Sequence, residues 1–260
     1  MPLGRAPATV RVQLPDGEDT LAVEEPLEIR VNGLPVAVTM RTPGDDLDLA
    51  LGFLTTEGVL DGRDGLGDVR AMGQVSDNVV DILLADGVSP ARARSADREL
   101  YATSSCGICG KASIDRILRG RVTPMVPANP TAAFLAAVLS AFDAAQVHTQ
   151  TTGCMHAAGL FRLDAPAVLV LREDVGRHNA VDKVLGAWLR DPREGELGFE
   201  LLGLVVTSRA GFEVVQKAIG VGISLVCSAG APTSLAVDVA REAGCALIGW
   251  LRPGRGRRYG

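Results

Sequence analysis

Leu201-Leu-Gly-Leu-Val-Val206, then Thr207-Ser-Arg-Ala-Gly211, then Phe212-Glu-Val-Val-Gln-Lys-Ala-Ile-Gly-Val221 reads as strand, turn and helix in succession. The first run is continuously apolar and short, as in a strand buried on both faces. The last carries Val214, Val215, Ala218 and Ile219 at helical spacing. The unit recurs on both sides. Apolar runs stand at Ala167–Leu171, Ile223–Cys227 and Ala246–Trp250. Helical patterns lie between them: Asn179–Arg190 with Val181, Val184, Leu185 and Trp188, and Thr233–Ala243 with Leu235, Val239 and Ala240. Strands alternating with helices of this length predict βαβ units and a mostly parallel sheet, hence an α/β fold.

In an open α/β sheet, ligands bind outside the carboxyl ends of the strands. Here those segments are Arg172–Asn179, Thr207–Gly211, Ser228–Thr233 and Leu251–Arg258. All are polar, basic or glycine-rich, and the first three each feed a helix N-terminus. Such an end offers unpaired N–H groups and partial positive charge, which suit phosphate. Arg177, Arg209, Arg252 and Arg255 could add bidentate, charge-assisted contacts. The expected ligand is anionic, with a pyrophosphate. The bland alternatives are a solvated basic tail at Arg252, Arg255, Arg257 and Arg258, and a helix cap in which Asp174 and His178 satisfy one another.

Upstream the pattern changes. Leu27–Val31 and Leu34–Met40 flank Asn32-Gly33, the strongest short-range hairpin signal. Thr42-Pro-Gly-Asp-Asp46 opens a helix whose apolar face is Leu47, Leu51 and Leu54. Val69–Val75 and Val79–Leu84 suggest a second hairpin, and Ser89–Glu99 a polar loop. Pro124, Pro127 and Pro130 mark a boundary. The expected division is a β-rich α+β part over 1–125 and an α/β anion-binding domain over 126–260. The second opens with a helix at Thr131–Gln146.

Composition narrows the function classes. The chain has 260 residues, 47% of them hydrophobic, enough for a core without a disulfide or metal staple. A net charge of −5 and 4% aromatics argue against general nucleic-acid binding and base-stacking platforms. No apolar run reaches the roughly 20 residues of a membrane span. There is no signal-like start, and the five cysteines are an odd number, so a reduced cytoplasmic chain is expected.

Two of those cysteines stand in Ser105-Cys106-Gly-Ile-Cys109-Gly-Lys111. A C-x-x-C pair can share a metal, form a disulfide or carry sulfur. Lys111 and a short helix read at Ser113–Arg119 would favour thiolate, the nucleophile that attacks a persulfide. A zinc site lacks its second C-x-x-C, since Cys154, Cys227 and Cys245 are irregularly spaced. Cys227 and Cys245 read as buried small hydrophobes. His148 reads as a helix-end residue.

Several long motifs follow one another: Glu25–Gly33, Thr42–Asp46 with Leu51–Gly58, Ser105–Gly110, His156-Ala-Ala158, Arg172–Lys183, Glu213–Ala218 and Ala231–Ala236. Together they resemble the formate dehydrogenase accessory sulfurtransferase (FdhD) family from about Glu24 to Arg255. The resemblance implies a cytoplasmic homodimer with a cytidine-deaminase-like α/β domain. It implies a sulfurtransferase that takes sulfur from a cysteine desulfurase as a cysteine persulfide. The sulfur goes to the molybdenum (or tungsten) bis-pyranopterin guanine dinucleotide cofactor of formate dehydrogenase. Cys106 matches the persulfide-bearing cysteine and Cys109 its partner. Trp250, Leu251, Arg252, Pro253, Gly254 and Arg255 match the cofactor-contact segment. The rim reading adds Arg177, His178 and Arg209; no structural metal, nucleic acid or membrane is expected. Gly230 stands where the family often has serine. Deamination is not implied, because His156-Ala-Ala158 lacks the glutamate that zinc deaminases use. Two rivals remain: a cofactor-binding chaperone without sulfur transfer, and a zinc-stapled binding module.

Overall fold

The structure, a computed structural model, describes residues 7–60, 69–85, 128–190 and 198–260. The chain divides into two compact units that interleave in sequence. The first takes Met1–Gly110, Val147–Met155 and Glu173–Arg190; the second takes Lys111–Gln146, His156–Arg172 and Asp191–Gly260. A single cut after residue 125 does not describe this division. The helix read at Asn179–Arg190 belongs to the first unit, because its apolar face is used there.

In the first unit, strands β1 (Thr9–Leu14) and β2 (Gly17–Ala22) form a hairpin by themselves. Strands β3 (Glu25–Val31), β4 (Leu34–Arg41), β5 (Val69–Ser76) and β6 (Val79–Leu84) form a sheet of order β4-β3-β6-β5. The β3–β4 turn holds Asn32 at φ 52° and Gly33 at φ 78°. Both values are left-handed, as a tight turn matched to strand twist requires. The Asn32 Oδ1 accepts from the Leu84 N–H at 2.8 Å, which ties the turn to β6. Leu27, Ile29 and Val31 alternate into the core beside Val80, Ile82 and Leu84.

Two helices complete this core, α1 (Asp46–Thr56) and the later α4 (Arg177–Arg190), with α2 (Ala132–Ala145) and the short α3 (His148–Thr152) between them in the chain. Leu49, Leu51 and Leu54 of α1 and Val181, Val184, Leu185 and Trp188 of α4 are buried. The crossing is close because glycines face backbone. A Cβ on Gly52 would lie 1.9 Å from the Asp182 carbonyl oxygen, and one on Gly186 would lie 1.9 Å from that of Asp48.

The second unit has six strands in the order β12-β11-β10-β9-β7-β8. They are β7 (His156–Arg162), β8 (Val168–Asp174), β9 (Leu202–Val206), β10 (Leu225–Ser228), β11 (Ala246–Arg252) and β12 (Arg255–Arg258). The chain passes from the second unit to the first within β8, after Arg172. Strands β9, β10 and β11 are parallel, joined by α5 (Phe212–Gly220) and α6 (Ser234–Ala243), as the alternation predicts. The sheet departs from that expectation at two places. Strand β7 inserts antiparallel to β9 and separates it from β8. The Arg-rich tail, expected as loop or solvated extension, is an antiparallel edge strand on β11.

Helix α2 covers this sheet with Leu135, Val138, Leu139 and Phe142, packed on Phe161, Val205, Leu225, Cys227 and Ile248. Gly203 pairs with Phe161 across the ladder. A Cβ there would meet the phenyl ring at 2.2 Å, so the aromatic ring occupies the space of the missing side chain.

Candidate functional site

Parallel register puts the ends of β9, β10 and β11 on one edge, and the three segments beyond them are bonded together. Thr207 N–H donates to the Ala157 carbonyl at 3.0 Å, and Thr207 Oγ1 accepts from Ala157 N–H at 2.9 Å. Gly230 N–H donates to the Ser208 carbonyl at 3.1 Å, and Thr233 N–H to the Ala210 carbonyl at 3.1 Å. Trp250 N–H donates to the Gly230 carbonyl at 3.0 Å, and the Ser228 hydroxyl to the same oxygen at 2.9 Å. The rim is thus a laced backbone surface, and its side chains stand on a fixed base.

Glycine at position 230 follows from that lacing. A Cβ there would lie 2.7 Å from Arg209 Cα and 2.9 Å from its nitrogen. A serine at 230 would push the Thr207–Gly211 segment away.

The predicted contact segment is heterogeneous. Trp250 is 46% exposed and holds φ 55°, a left-handed value that a bulky residue rarely adopts. It sits where the β11–β12 register shifts, between Gly249 and Arg252. That irregularity turns the indole out of the ladder. Leu251 is 1% exposed and belongs to the core cluster, so its side chain is not available to a ligand. Arg252 Nη1 donates to the Ala229 and Leu251 carbonyls, both at 2.7 Å, which anchors that corner of its exposed guanidinium. Pro253 and Gly254 make the turn, with Gly254 at φ 73°. Arg255 and Arg209 are exposed. Helix α5 begins at this rim with Gly211 at its N-cap, which has no side chain to cap it, whereas Thr233 caps α6 by accepting from Ala236 N–H.

Arg177 and His178 belong to the first unit, where they open α4. Their turn is held by a buried polar cluster that the sequence reading did not anticipate. Asp174, 0% exposed, accepts at Oδ2 from Lys183 Nζ at 2.7 Å and from Thr42 N–H at 3.1 Å. At Oδ1 it accepts from Gly176 N–H at 2.8 Å and Asn179 Nδ2 at 3.1 Å. Lys183 Nζ also donates to the Thr42 carbonyl at 2.8 Å, and Asn179 Nδ2 to that of Met40 at 2.7 Å. A carboxylate and an ammonium this buried persist only when paired and hydrogen-bonded. Nearby, Arg41 is clamped bidentately on Asp46, with Nε to Oδ1 at 2.9 Å and Nη2 to Oδ2 at 3.0 Å. The available signal was three polar residues, Asn179, Asp182 and Lys183, spaced i, i+3 and i+4 within an otherwise apolar stretch of an amphipathic helix.

Glu173, beside Asp174 in sequence, is half-buried. Its carboxylate accepts from the N–H groups of Val147, His148 and Thr149 at 3.2, 3.0 and 2.6 Å. Burial pushes its carboxyl up, but these three donors outweigh that and hold it below the ordinary carboxylate value. His148 thus begins a short helix instead of ending one.

Cys106 and Cys109, with the helix read at Ser113–Arg119, lie outside the described residues. Of the other cysteines, Cys154 is exposed, and Cys227 and Cys245 are buried as expected. Burial pushes the Cys245 thiol up to about 12, and that of Cys227 higher still. Neither is a thiolate nucleophile at neutral pH. Among the described residues no cluster of three or more His, Cys, Asp or Glu could hold a metal, and no helix is long and apolar enough to cross a membrane.

A model of the FdhD/NarQ family matches residues 22–260. The chain belongs to that family. It is 46% identical over 242 residues to the sulfur carrier protein FdhD of Mycolicibacterium paratuberculosis, covering 90% of this chain and 87% of the relative. It is 46% identical over 243 residues to the sulfur carrier protein FdhD of Streptomyces coelicolor, covering 90% and 84%. A crystal structure named "putative formate dehydrogenase accessory protein", from Desulfotalea psychrophila, superposes with a TM-score of 0.72. That match covers 96% of this chain and 94% of the other at 23% identity, and it shows that this FdhD/NarQ chain shares the α/β fold.

Proposed function

We propose that the chain is a sulfur carrier that receives sulfur on Cys106 from a cysteine desulfurase. It delivers that sulfur to the molybdenum (or tungsten) bis-pyranopterin guanine dinucleotide cofactor of formate dehydrogenase. The observation that carries this is similarity over nine-tenths of the chain to proteins named sulfur carriers, together with a C-x-x-C at Cys106 and Cys109. The laced basic rim supports the second half, since it offers guanidinium donors, a helix N-terminus and an outward indole to an anionic dinucleotide. We further infer a cytoplasmic homodimer.

The chemistry balances in two steps. The Cys106 thiolate attacks the terminal sulfur of the desulfurase persulfide; the S–S bond breaks, the desulfurase thiolate leaves, and Cys106 carries the persulfide. Cys109 then attacks the inner sulfur of that persulfide. A Cys106–Cys109 disulfide forms and hydrosulfide leaves, so the two cysteines are oxidised as the carried sulfur is reduced to sulfide. A thiol reductant must reset the pair.

The test is incubation with a desulfurase and cysteine, followed by intact mass and peptide mapping. One added, reducible sulfur on the peptide containing Cys106, absent in Cys106→Ala, is expected. No added sulfur with guanine nucleotide still bound would turn the assignment to a cofactor chaperone.

A further inference from the structure

The β1–β2 hairpin stands apart from both larger sheets and pairs with neither among the described residues. It ends at Ala22, where the family match begins. We propose that β1 is a self-association edge: two copies of this chain pair β1 to β1, antiparallel about a two-fold axis at Val12, into one four-stranded sheet. The inference deepens the homodimer reading by giving it a surface, and it rests on that reading; it does not involve sulfur transfer.

The hairpin leaves its apolar face open. Register places Val10 opposite Leu21, Val12 opposite Asp19 and Leu14 opposite Gly17 on that face. There Val10, Leu14 and Leu21 are 45%, 42% and 45% exposed. Thr20 and Ala22, on the other face, are half-buried, and β2 contacts α3. A two-stranded hairpin is marginal in water by itself, and a third strand or a packed apolar face makes it stable. A strand added beside β1 would flank Val10, Val12 and Leu14.

Charge and hydrogen-bond phase say what that strand is. Asp16, Glu18 and Asp19 crowd the start of β2, whereas β1 carries a single charge, Arg11, already paired with Glu18 at 3.3 Å. Charges protect natural sheet edges from pairing, and β1 is the less protected edge. The Val23 N–H donates to the Ala8 carbonyl at 2.9 Å, and bonded pairs alternate along an antiparallel ladder. Val10, Val12 and Leu14 therefore spend their backbone groups on β2, while Thr9, Arg11 and Gln13 direct theirs outward. A second β1 about an axis at Val12 matches this phase. Arg11 and the partner's Gln13 exchange backbone hydrogen bonds on each side of the axis. Val12 then faces the partner's Val12 in a non-bonded pair, where side chains come closest, and Val10 faces the partner's Leu14. No like charges are opposed. An axis at Arg11 would set two guanidiniums against each other, and one at Val10 would set Val12 against Ala8. The edge is thus complementary to itself, as an isologous two-fold contact requires.

Val12→Lys in the full chain tests this by analytical ultracentrifugation. Within the hairpin the new ammonium faces Asp19, an opposite charge, so the arm keeps its fold. Across the axis it faces its own copy, so the dimer dissociation constant should rise at least about tenfold over the parent's, with thermal melting unchanged. Val12→Ile should associate as the parent does. A second variant does not depend on the first one folding. Val12→Cys places two thiols at a non-bonded pair with Cα atoms about 4.5 Å apart, within disulfide range. With oxidised glutathione it should give a chain-to-chain disulfide that peptide mapping assigns to position 12 in both copies, and Leu14→Cys should give none at position 14. Undiminished association of Val12→Lys, or no position-12 disulfide in Val12→Cys, would overturn this interface and leave the homodimer to another surface. A parent chain that stays monomeric at every concentration measured would overturn the homodimer reading as well.

Discussion

Replacing Lys183 by methionine tests whether the buried cluster at the start of α4 stabilises the first unit. The substitution keeps the volume of the side chain and removes its charge. The Asp174 carboxylate, 0% exposed, loses its ion pair at 2.7 Å, and the Thr42 carbonyl loses its donor at 2.8 Å. Breaking one side of a buried pair costs about 3–5 kcal/mol, because the remaining charge has no counterion. Asp174 keeps three donors, from Thr42, Gly176 and Asn179, so the loss should fall near the lower end, about 3 kcal/mol. With a urea m-value of about 1–3 kcal/mol/M, the midpoint should drop by roughly 1–3 M. The chain has two tryptophans. Trp188 lies buried in the first unit and Trp250 exposed in the second. Fluorescence of Trp188 in a Trp250→Phe background therefore reads the first unit alone. Asp174→Asn/Lys183→Met should recover only part of the loss, since an amide accepts at one atom where the carboxylate accepts at two. A Lys183→Met variant within about 0.5 kcal/mol of the parent, the scatter of ordinary surface changes, would refute the reasoning.

Gly186→Ala should destabilise the first unit by about 2–3 kcal/mol, despite alanine's better helix propensity, because the new Cβ meets the Asp48 backbone and α1 must move away; urea unfolding followed at Trp188 checks this. Glu173 titrates below its ordinary value when folded, so its contribution is complete at neutral pH and fades as pH falls through the folded value. Glu173→Gln should thus be less stable than the parent at pH 7, with the gap closing below about pH 4.5, in thermal melts across pH. In native protein at pH 8, iodoacetamide should modify Cys154 and spare Cys227 and Cys245, whose raised thiols are buried; peptide mapping reads each site, and labelling of Cys227 without unfolding would contradict the described core.

What the sequence made legible was local. Asn32-Gly33 fixed a hairpin because only a few residue types accept two left-handed turn positions. The 201–252 alternation revealed three parallel strands because each is short, apolar and followed by an amphipathic helix. Strand β7 escaped because Ala157, Ala158 and Gly159 are small and follow no period, and its place is set by long-range pairing with β9. Strand β12 escaped for the opposite reason: Arg255-Gly-Arg-Arg258 has no strand propensity, and it pairs because the Pro253-Gly254 turn folds it back on β11. The grouping of loops after strands gathers Arg209, Arg252 and Arg255 in the second unit, whereas Arg177 and His178 belong to the first. Periodicity cannot report that α4 spends its apolar face on α1, a choice made by two glycines that let the helices touch. The same limit hid the Asp174–Lys183 pair. Its members lie nine residues apart in sequence, and the third partner, Thr42, is far upstream, so only the folded chain brings them into one cluster. The residues that hold the segments in place thus come from distant parts of the chain, whereas the rim residues, Arg209, Trp250 and Arg252, follow directly from strands a reader can find.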